Sequence, residues 1–285
     1  MPEGFPQLGE YKQAPLGGGT IGYHDTGDGP VLLFVHGLLV NGALWSKVVP
    51  LLADRYRCIV PDWPLGSHSL PLGTPLSPSA VVEMIGELIA ELGLQDVTLV
   101  GNDTGGALSQ MFVVRHPGSV KRLVLTNCDA YDQFPPQPFK YLGIVPRVPG
   151  AISVLAQSMR LRPNRRLPIA FGWLAKRLPR DVEDAFVDPV IRDKGIRDDV
   201  SSFLLAMDKN ELIATARRYG EVEIPVTLAW GEDDKAFKID WAERMARDFP
   251  NATLVRIADS YTFVALDQPE RLAEAIASEP AAQDI

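Results

Sequence analysis

Apolar residues follow two rhythms along this 285-residue chain. Short stretches at 31–35 (VLLFV), 57–60 (RCIV), 97–100 (VTLV), 123–126 (LVLT), 226–230 (VTLAW) and 252–257 (ATLVRI) are apolar on nearly consecutive positions. Such runs suit strands buried on both faces, as in a parallel sheet. Between them, apolar residues recur at helical spacing over 79–92 (Val82, Ile85, Leu88, Ile89), 107–115, 239–248 and 269–276, the last opened by Pro269 in its first turn. This alternation predicts an α/β fold, a mostly parallel sheet flanked by helices with right-handed crossovers.

Residues 131–220 break the alternation. They hold helix candidates at 151–160, 170–177 and 198–207, proline-rich joints (FPPQPF, RLPRD) and no strand-like run. The segment reads as a helical cap inserted after the sixth strand, with Ile224-Pro225 marking the return. The predicted division is a core of 1–130 and 221–285 with a cap of 131–220. Charge sharpens the boundary: the chain carries −8, yet 131–220 holds 15 Lys and Arg against 10 Asp and Glu. Overall acidity argues against nucleic acid as a partner. No run of about 18 apolar residues occurs, so no membrane partner is expected. The N-terminus lacks a basic, apolar leader, which points to the cytoplasm. Cys58 and Cys128, in or beside strand runs, read as buried free thiols. No phosphate loop, dinucleotide fingerprint or metal-ligand cluster appears, so no cofactor and no metal is expected.

The chemistry concentrates at 97–110 (VTLVGNDTGGALSQ), where a strand runs through Gly101-Asn102-Asp103-Thr104-Gly105 into a helix. The pattern Gly-x-nucleophile-x-Gly is that of a nucleophile elbow, with Asp103 in the reactive slot. A sharp turn needs neighbours without bulk, and the free N–H groups at the helix start favour an anionic side chain.

With His36-Gly37 at a strand end, Pro61-Asp62 followed by Gly66 and Ser69, the acidic turn Trp230-Gly231-Glu232-Asp233-Asp234 and the helical insertion, the chain resembles the α/β-hydrolase superfamily over nearly its whole length. An aspartate at the elbow resembles the epoxide hydrolase and haloalkane dehalogenase branch. There the carboxylate attacks carbon, and a histidine-activated water hydrolyses the resulting ester. The resemblance implies Asp234 as the acid, with Asp233 and Asp129 as other candidates. It implies the backbone N–H groups of Leu38 and Thr104 as an oxyanion hole, and His36 as a brace for that turn.

Three departures shape the expectation. In Asp259-Ser260-Tyr261-Thr262-Phe263, Tyr261 takes the place read as that of the catalytic histidine. The chain's four histidines, His24, His36, His68 and His116, all precede the acid. A tyrosine, with a pKa of about 10, is a poor base at neutral pH. Leu38 and Thr104 also replace the Asn and Trp that hold halide in dehalogenases. Tyr131, Tyr141 and Tyr219 are the cap-side candidates for holding an epoxide oxygen. His68 is the candidate surrogate base, and Trp63 and Trp173 are candidates for lining the pocket. His24 and His116 read as surface residues, and Arg160, Arg162, Arg165 and Arg166 as a solvated face. If Asp103 and Asp234 approach without a histidine between them, one pKa should rise. The expected function is attack by Asp103 on an epoxide, an organohalide or a similar electrophilic or apolar small molecule. The alternatives are non-hydrolytic chemistry on the same fold and a ligand-binding pseudoenzyme.

Overall fold

The computed structural model describes residues 4–278. Eight strands form one sheet: β1 (Glu10–Leu16), β2 (Gly19–Thr26), β3 (Val31–Val35), β4 (Arg57–Pro61), β5 (Thr98–Asp103), β6 (Arg122–Cys128), β7 (Val226–Gly231) and β8 (Ala252–Ile257). Their spatial order is β1-β2-β4-β3-β5-β6-β7-β8. β1 pairs antiparallel with β2, and β2 with β4, while β3 through β8 run parallel. The six apolar runs are the six parallel strands. The β1–β2 hairpin at the sheet edge is mostly solvated on β1 and so lacks a continuous apolar signal.

The core helices are α1 (Pro78–Glu91), α2 (Thr104–Arg115), α8 (Ile239–Asp248) and α10 (Pro269–Ala277), at or beside the predicted positions, and the short α9 (Val264–Asp267), which the sequence does not predict. The Ser77 hydroxyl accepts the Ala80 N–H and caps α1. Nearly every residue of α2 is buried, so its first turn shows no amphipathic rhythm and begins three residues earlier than predicted.

Between β6 and β7 lie α3 (Ala151–Ser158), α4 (Arg162–Arg165), α5 (Arg180–Arg192), α6 (Lys194–Ala206) and α7 (Lys209–Ala216). The short α4 and α7 have no counterpart in the sequence reading, and two further features differ from it. Residues 170–177 form turns rather than a helix, and the N–H groups of Lys176 and Arg177 donate to the Asp267 carboxylate instead of to a helical ladder. Conversely, α5 carries Pro189 inside it and escaped prediction because proline reads as a break. The carbonyl of Ala185, which the missing N–H of Pro189 leaves free, accepts from Asn41 Nδ2 at 3.0 Å. Ser67 Oγ likewise donates to the Phe186 carbonyl at 2.6 Å. The interrupted ladder is thereby tied to the loops after β3 and β4.

The elbow is the tightest junction of the fold. A Cβ on Gly105 would lie 2.3 Å from the carbonyl oxygens of both Val35 and His36, and one on Gly106 would lie 2.3 Å from Cys128 Cβ. The start of α2 therefore rests directly on the ends of β3 and β6. Gly105→Ala should destabilise the protein by about 3 kcal/mol or more, since rigid backbone must move. Gly220→Ala, where an added Cβ meets nothing within 4 Å, should stay within about 0.5 kcal/mol of the parent. Urea unfolding of the two variants checks this, and a Gly105→Ala protein of parental stability would refute the packing.

Candidate active site

Asp103 ends β5 and caps α2 with φ 54° and ψ −132°, a conformation costly for any residue with a Cβ. The Thr104 N–H donates to Asp103 Oδ1 at 2.7 Å. The carboxylate lies over Gly37, where an added Cβ would come within 2.4 Å of Asp103 Oδ2. Gly37 thus leaves the room in which the carboxylate sits.

Above it opens a cavity of about 920 Å³, mouth included, lined from below by Leu38, Leu39, Asp103 and Thr104 and from above by the residues between β6 and β7. Apart from Asp103, only Thr104 and Tyr141 bring side-chain polar groups to the lining. Phe139, Ile152, Leu155, Met159, Phe186 and Val200 make up much of the apolar wall. The Tyr141 hydroxyl donates to the Ile169 carbonyl at 2.7 Å. Sequence spacing alone did not reveal this wall, because its residues come from turns and helices far apart in the chain.

Two further buried carboxylates surround the elbow. Asp234 receives four hydrogen bonds: Ala236 N–H at 2.7 Å, Phe237 N–H at 3.0 Å, Asn127 Nδ2 at 2.7 Å and Thr262 Oγ1 at 2.8 Å. Asp129 Oδ2 accepts from Thr104 Oγ1 at 3.2 Å, while its buried Oδ1 has no partner. Burial pushes Asp103 up to about 7, and the charge of Asp234 pushes the same way against the Thr104 N–H. Burial also pushes Asp234 up to about 7, opposed by its four donors. Burial and the charge of Asp103 hold Asp129 well above the carboxylate range. Asp234 has the fuller set of donors to its ionised form, yet burial leaves both carboxylates raised.

The acid turn presents Asp234 inward. Asp233 is exposed and pairs with Lys176. The segment after β8 departs from the sequence reading by one residue. Tyr261 does not line the cavity; its ring lies 5.0 Å from Lys176 Nζ and 4.9 Å from Lys235 Nζ, and its N–H donates to Asp267. The fully buried neighbour Thr262 is the residue whose side chain reaches Asp234. Asn102 and Asn127 also went unrecognised. Asn102 Nδ2 donates to the Thr262 carbonyl at 2.8 Å, and Asn127 bonds both Asp234 and the Gly231 backbone. Both asparagines sit within apolar strand runs, where a side-chain amide gives no periodic signal.

The other candidates are placed as follows. His36 Nδ1 bonds the Gly37 carbonyl and its Nε2 accepts the Trp63 N–H; burial lowers its pKa to about 3, so it braces the turn as a neutral ring. Trp63 is buried with its indole N–H on the Phe34 carbonyl, a core role rather than a lining one. His68 bonds Asp199 through Nε2 and accepts the Gly66 N–H through Nδ1, so both ring nitrogens are engaged away from Asp103. It does not serve as a surrogate base. Tyr131 donates to Asp248 and Tyr219 to Gln110, leaving Tyr141 as the one of the three that lines the cavity. Trp173 stacks under Lys235 outside the cavity. His24 is buried, not superficial, with Nδ1 at 3.1 Å from the Gly9 carbonyl. Arg162, Arg165 and Arg166 pair with Glu183 and Asp184 of α5 rather than facing only water. Both cysteines are buried and free.

This arrangement of elbow, acid turn and sheet order defines an α/β hydrolase. The chain belongs to the alpha/beta hydrolase fold family, whose model matches residues 30–269. It is 29% identical over 270 residues to haloalkane dehalogenase 2 of Mycobacterium tuberculosis, covering 90% of each chain. It is 29% identical over 288 residues to a cis-3-alkyl-4-alkyloxetan-2-one decarboxylase of Xanthomonas campestris, covering 90% of this chain and 91% of the relative. Its fold is shared with an alpha/beta hydrolase fold protein of Burkholderia ambifaria (TM-score 0.79, 21% identity, covering 94% of this chain and 97% of that one). The haloalkane dehalogenase DbeA of Bradyrhizobium elkani also shares it (TM-score 0.77, 21% identity, covering 94% and 96%).

The raised carboxylates carry a stability consequence. Between about pH 4 and 7 the native Asp103 keeps a proton that the unfolded chain has released. Stability therefore falls as pH rises through this window, by about 1.4 kcal/mol per unit for a full proton, and levels off above it. Asp103→Asn removes this loss. Its gain over the parent in urea unfolding should be near zero at about pH 4 and grow to a few kcal/mol by about pH 7, then stay level. A gain that is the same at every pH would rule out a raised Asp103.

Proposed function

We propose that Asp103 attacks an electrophilic carbon held in the apolar cavity, and that the substrate is a strained oxygen ring carrying alkyl arms. The observation that carries this reading is a single carboxylate at the floor of a largely apolar cavity, whose other polar side chains are only Thr104 and Tyr141. An Asp103 oxygen forms a bond to carbon, and the carbon–oxygen bond of the ring breaks with its electrons left on oxygen. A ring is favoured over an organohalide because the lining offers no side-chain N–H to receive a departing halide. The oxetan-2-one in the name of the Xanthomonas relative is such a ring with two alkyl groups.

Release of the product distinguishes this site from a hydrolase that activates water. Thr262 donates a hydroxyl to Asp234, and a hydroxyl is no base at neutral pH. An alkyl ester on Asp103 formed from a simple epoxide therefore persists. An ester formed from an oxetan-2-one need not. Attack at the saturated, alkyl-bearing ring carbon breaks its bond to the ring oxygen and frees a carboxylate, and loss of that carboxylate as carbon dioxide forms a carbon–carbon double bond while the Asp103–carbon bond breaks and its electrons return to the Asp103 carboxylate. This second route regenerates Asp103 without water or a base. The relative's name and the threonine beside Asp234 favour it.

Intact-protein mass spectrometry with a long-chain terminal epoxide, and alkene detection with a cis-dialkyl oxetan-2-one, separate the outcomes. The epoxide should leave a stable adduct on the peptide containing Asp103, formed faster as pH rises through about 7 because attack needs the ionised carboxylate. The oxetanone should give alkene with turnover. Asp103→Asn should abolish both by at least about 100-fold, and Thr262→His should convert the epoxide adduct into released diol. Full activity in Asp103→Asn would refute the nucleophile, and diol turnover by the parent protein would refute the missing base.

A further inference from the structure

We propose that the cap is also a docking surface for an anionic lipid bilayer, from whose apolar interior molecules enter the cavity directly. Six of the eight exposed large hydrophobic side chains among the described residues fall within 144–169: Ile144, Val148, Val154, Leu161, Leu167 and Ile169. The exposure of Val154 is 71%, of Ile144 65% and of Leu161 64%, so these are side chains standing in water rather than the rims of core contacts. A cluster of this kind marks an interaction surface.

The charge pattern of the same segment selects the partner. Residues 133–180 contain nine Lys and Arg and no Asp or Glu, in a chain whose net charge is −8. Several of these cations are neutralised by acids from elsewhere, notably Glu183 and Asp184. Lys140, Arg147 and Arg160 are exposed and have no acidic partner among the described residues, with Arg160 bonded only to Gln157. They alternate along the chain with the exposed apolar residues: Lys140 before Ile144, Arg147 beside Val148, Arg160 beside Leu161. Apolar side chains at acyl depth with cations at phosphate depth is the pattern of interfacial binding. A second copy of the chain would set cation against cation on this face.

Geometry links the surface to the cavity. Ile169 is both exposed and part of the cavity lining. Tyr141, another lining residue, donates to the Ile169 carbonyl, and Ile144 follows in the next turn with its N–H on the Tyr141 carbonyl. On α3, Ile152 and Leu155 line the cavity, as does Met159 just after it, while Val154 faces out. One thin layer of chain therefore separates the apolar interior from the apolar exterior. No helix among the described residues is long and apolar enough to cross a membrane. The sequence expectation of no membrane partner rested on that criterion, which surface docking does not need. The inference stands on the cap alone and is independent of the chemistry proposed for Asp103.

Co-sedimentation with vesicles tests it, comparing phosphatidylcholine alone with a three-to-one mixture of phosphatidylcholine and phosphatidylglycerol. The full chain should bind the anionic vesicles, bind the neutral ones far less, and be released by high salt. Arg147→Gln with Arg160→Gln should weaken binding about 25-fold, at about fivefold per cation. Val154→Asp with Leu161→Asp should abolish it, and Leu51→Asp with Leu205→Asp, two exposed apolar sites outside the segment, should leave it unchanged. Thermal unfolding confirms that each variant is folded. No association with anionic vesicles, equal binding to both kinds, or a stable dimer that the Val154 and Leu161 substitutions dissociate would each overturn the proposal.

Discussion

The structure depends on the contact between the start of α2 and the ends of β3 and β6. Gly105 brings the helix against the backbone of Val35 and His36 and Gly106 brings it against the Cys128 side chain, and at this junction Asp103 has a positive φ. The strain is held by a neighbourhood that cannot relax: β5 is paired with β3 and β6 up to Gly101, Asp103 pairs again with Cys128 of β6, and α2 is buried over nearly its whole length. Everything proposed for the site follows from this. The carboxylate is pushed out over Gly37 and into the floor of the cavity, with the first N–H of α2 behind it.

Burial then sets the electrostatics. Three carboxylates share a region without a fully charged partner, and they are distinguished by their donors. Asp234 has four, Asp103 has the Thr104 N–H, and Asp129 has a hydroxyl and one empty oxygen. Asp129, with the poorest set of donors, is held well above the carboxylate range, while Asp103 and Asp234 are both raised to about 7, where each changes charge near neutral pH.

The segment between β6 and β7 supplies the other half of the site. It contributes most of the apolar wall, it is tied to the sheet by Asn41, Ser67 and His68, and its outer face is apolar and basic together. Its inner and outer surfaces are formed by the same short elements, so the properties of the cavity and of the exterior are coupled through one layer.

The sequence by itself determined the parallel strands, the order of the motifs, the elbow and the acidic turn, though not which of Asp233 and Asp234 faces inward. These depend on contiguous residues, and burial on both faces leaves a run of apolar letters that can be read without knowing the partner strand. Only the tertiary structure decided that Thr262 and not Tyr261 reaches Asp234. Adjacent side chains after a strand point in different directions, and which one faces inward is set by Asn102 and Asp267, which hold the backbone on either side from positions distant in the chain or across a turn. Asn127 and Asp234 meet across 107 residues, and the Ala185 carbonyl that Pro189 leaves without an N–H in α5 is satisfied by the Asn41 amide, which donates to it. Such contacts join residues whose separation carries no periodicity, so they exist as information only once the chain is folded.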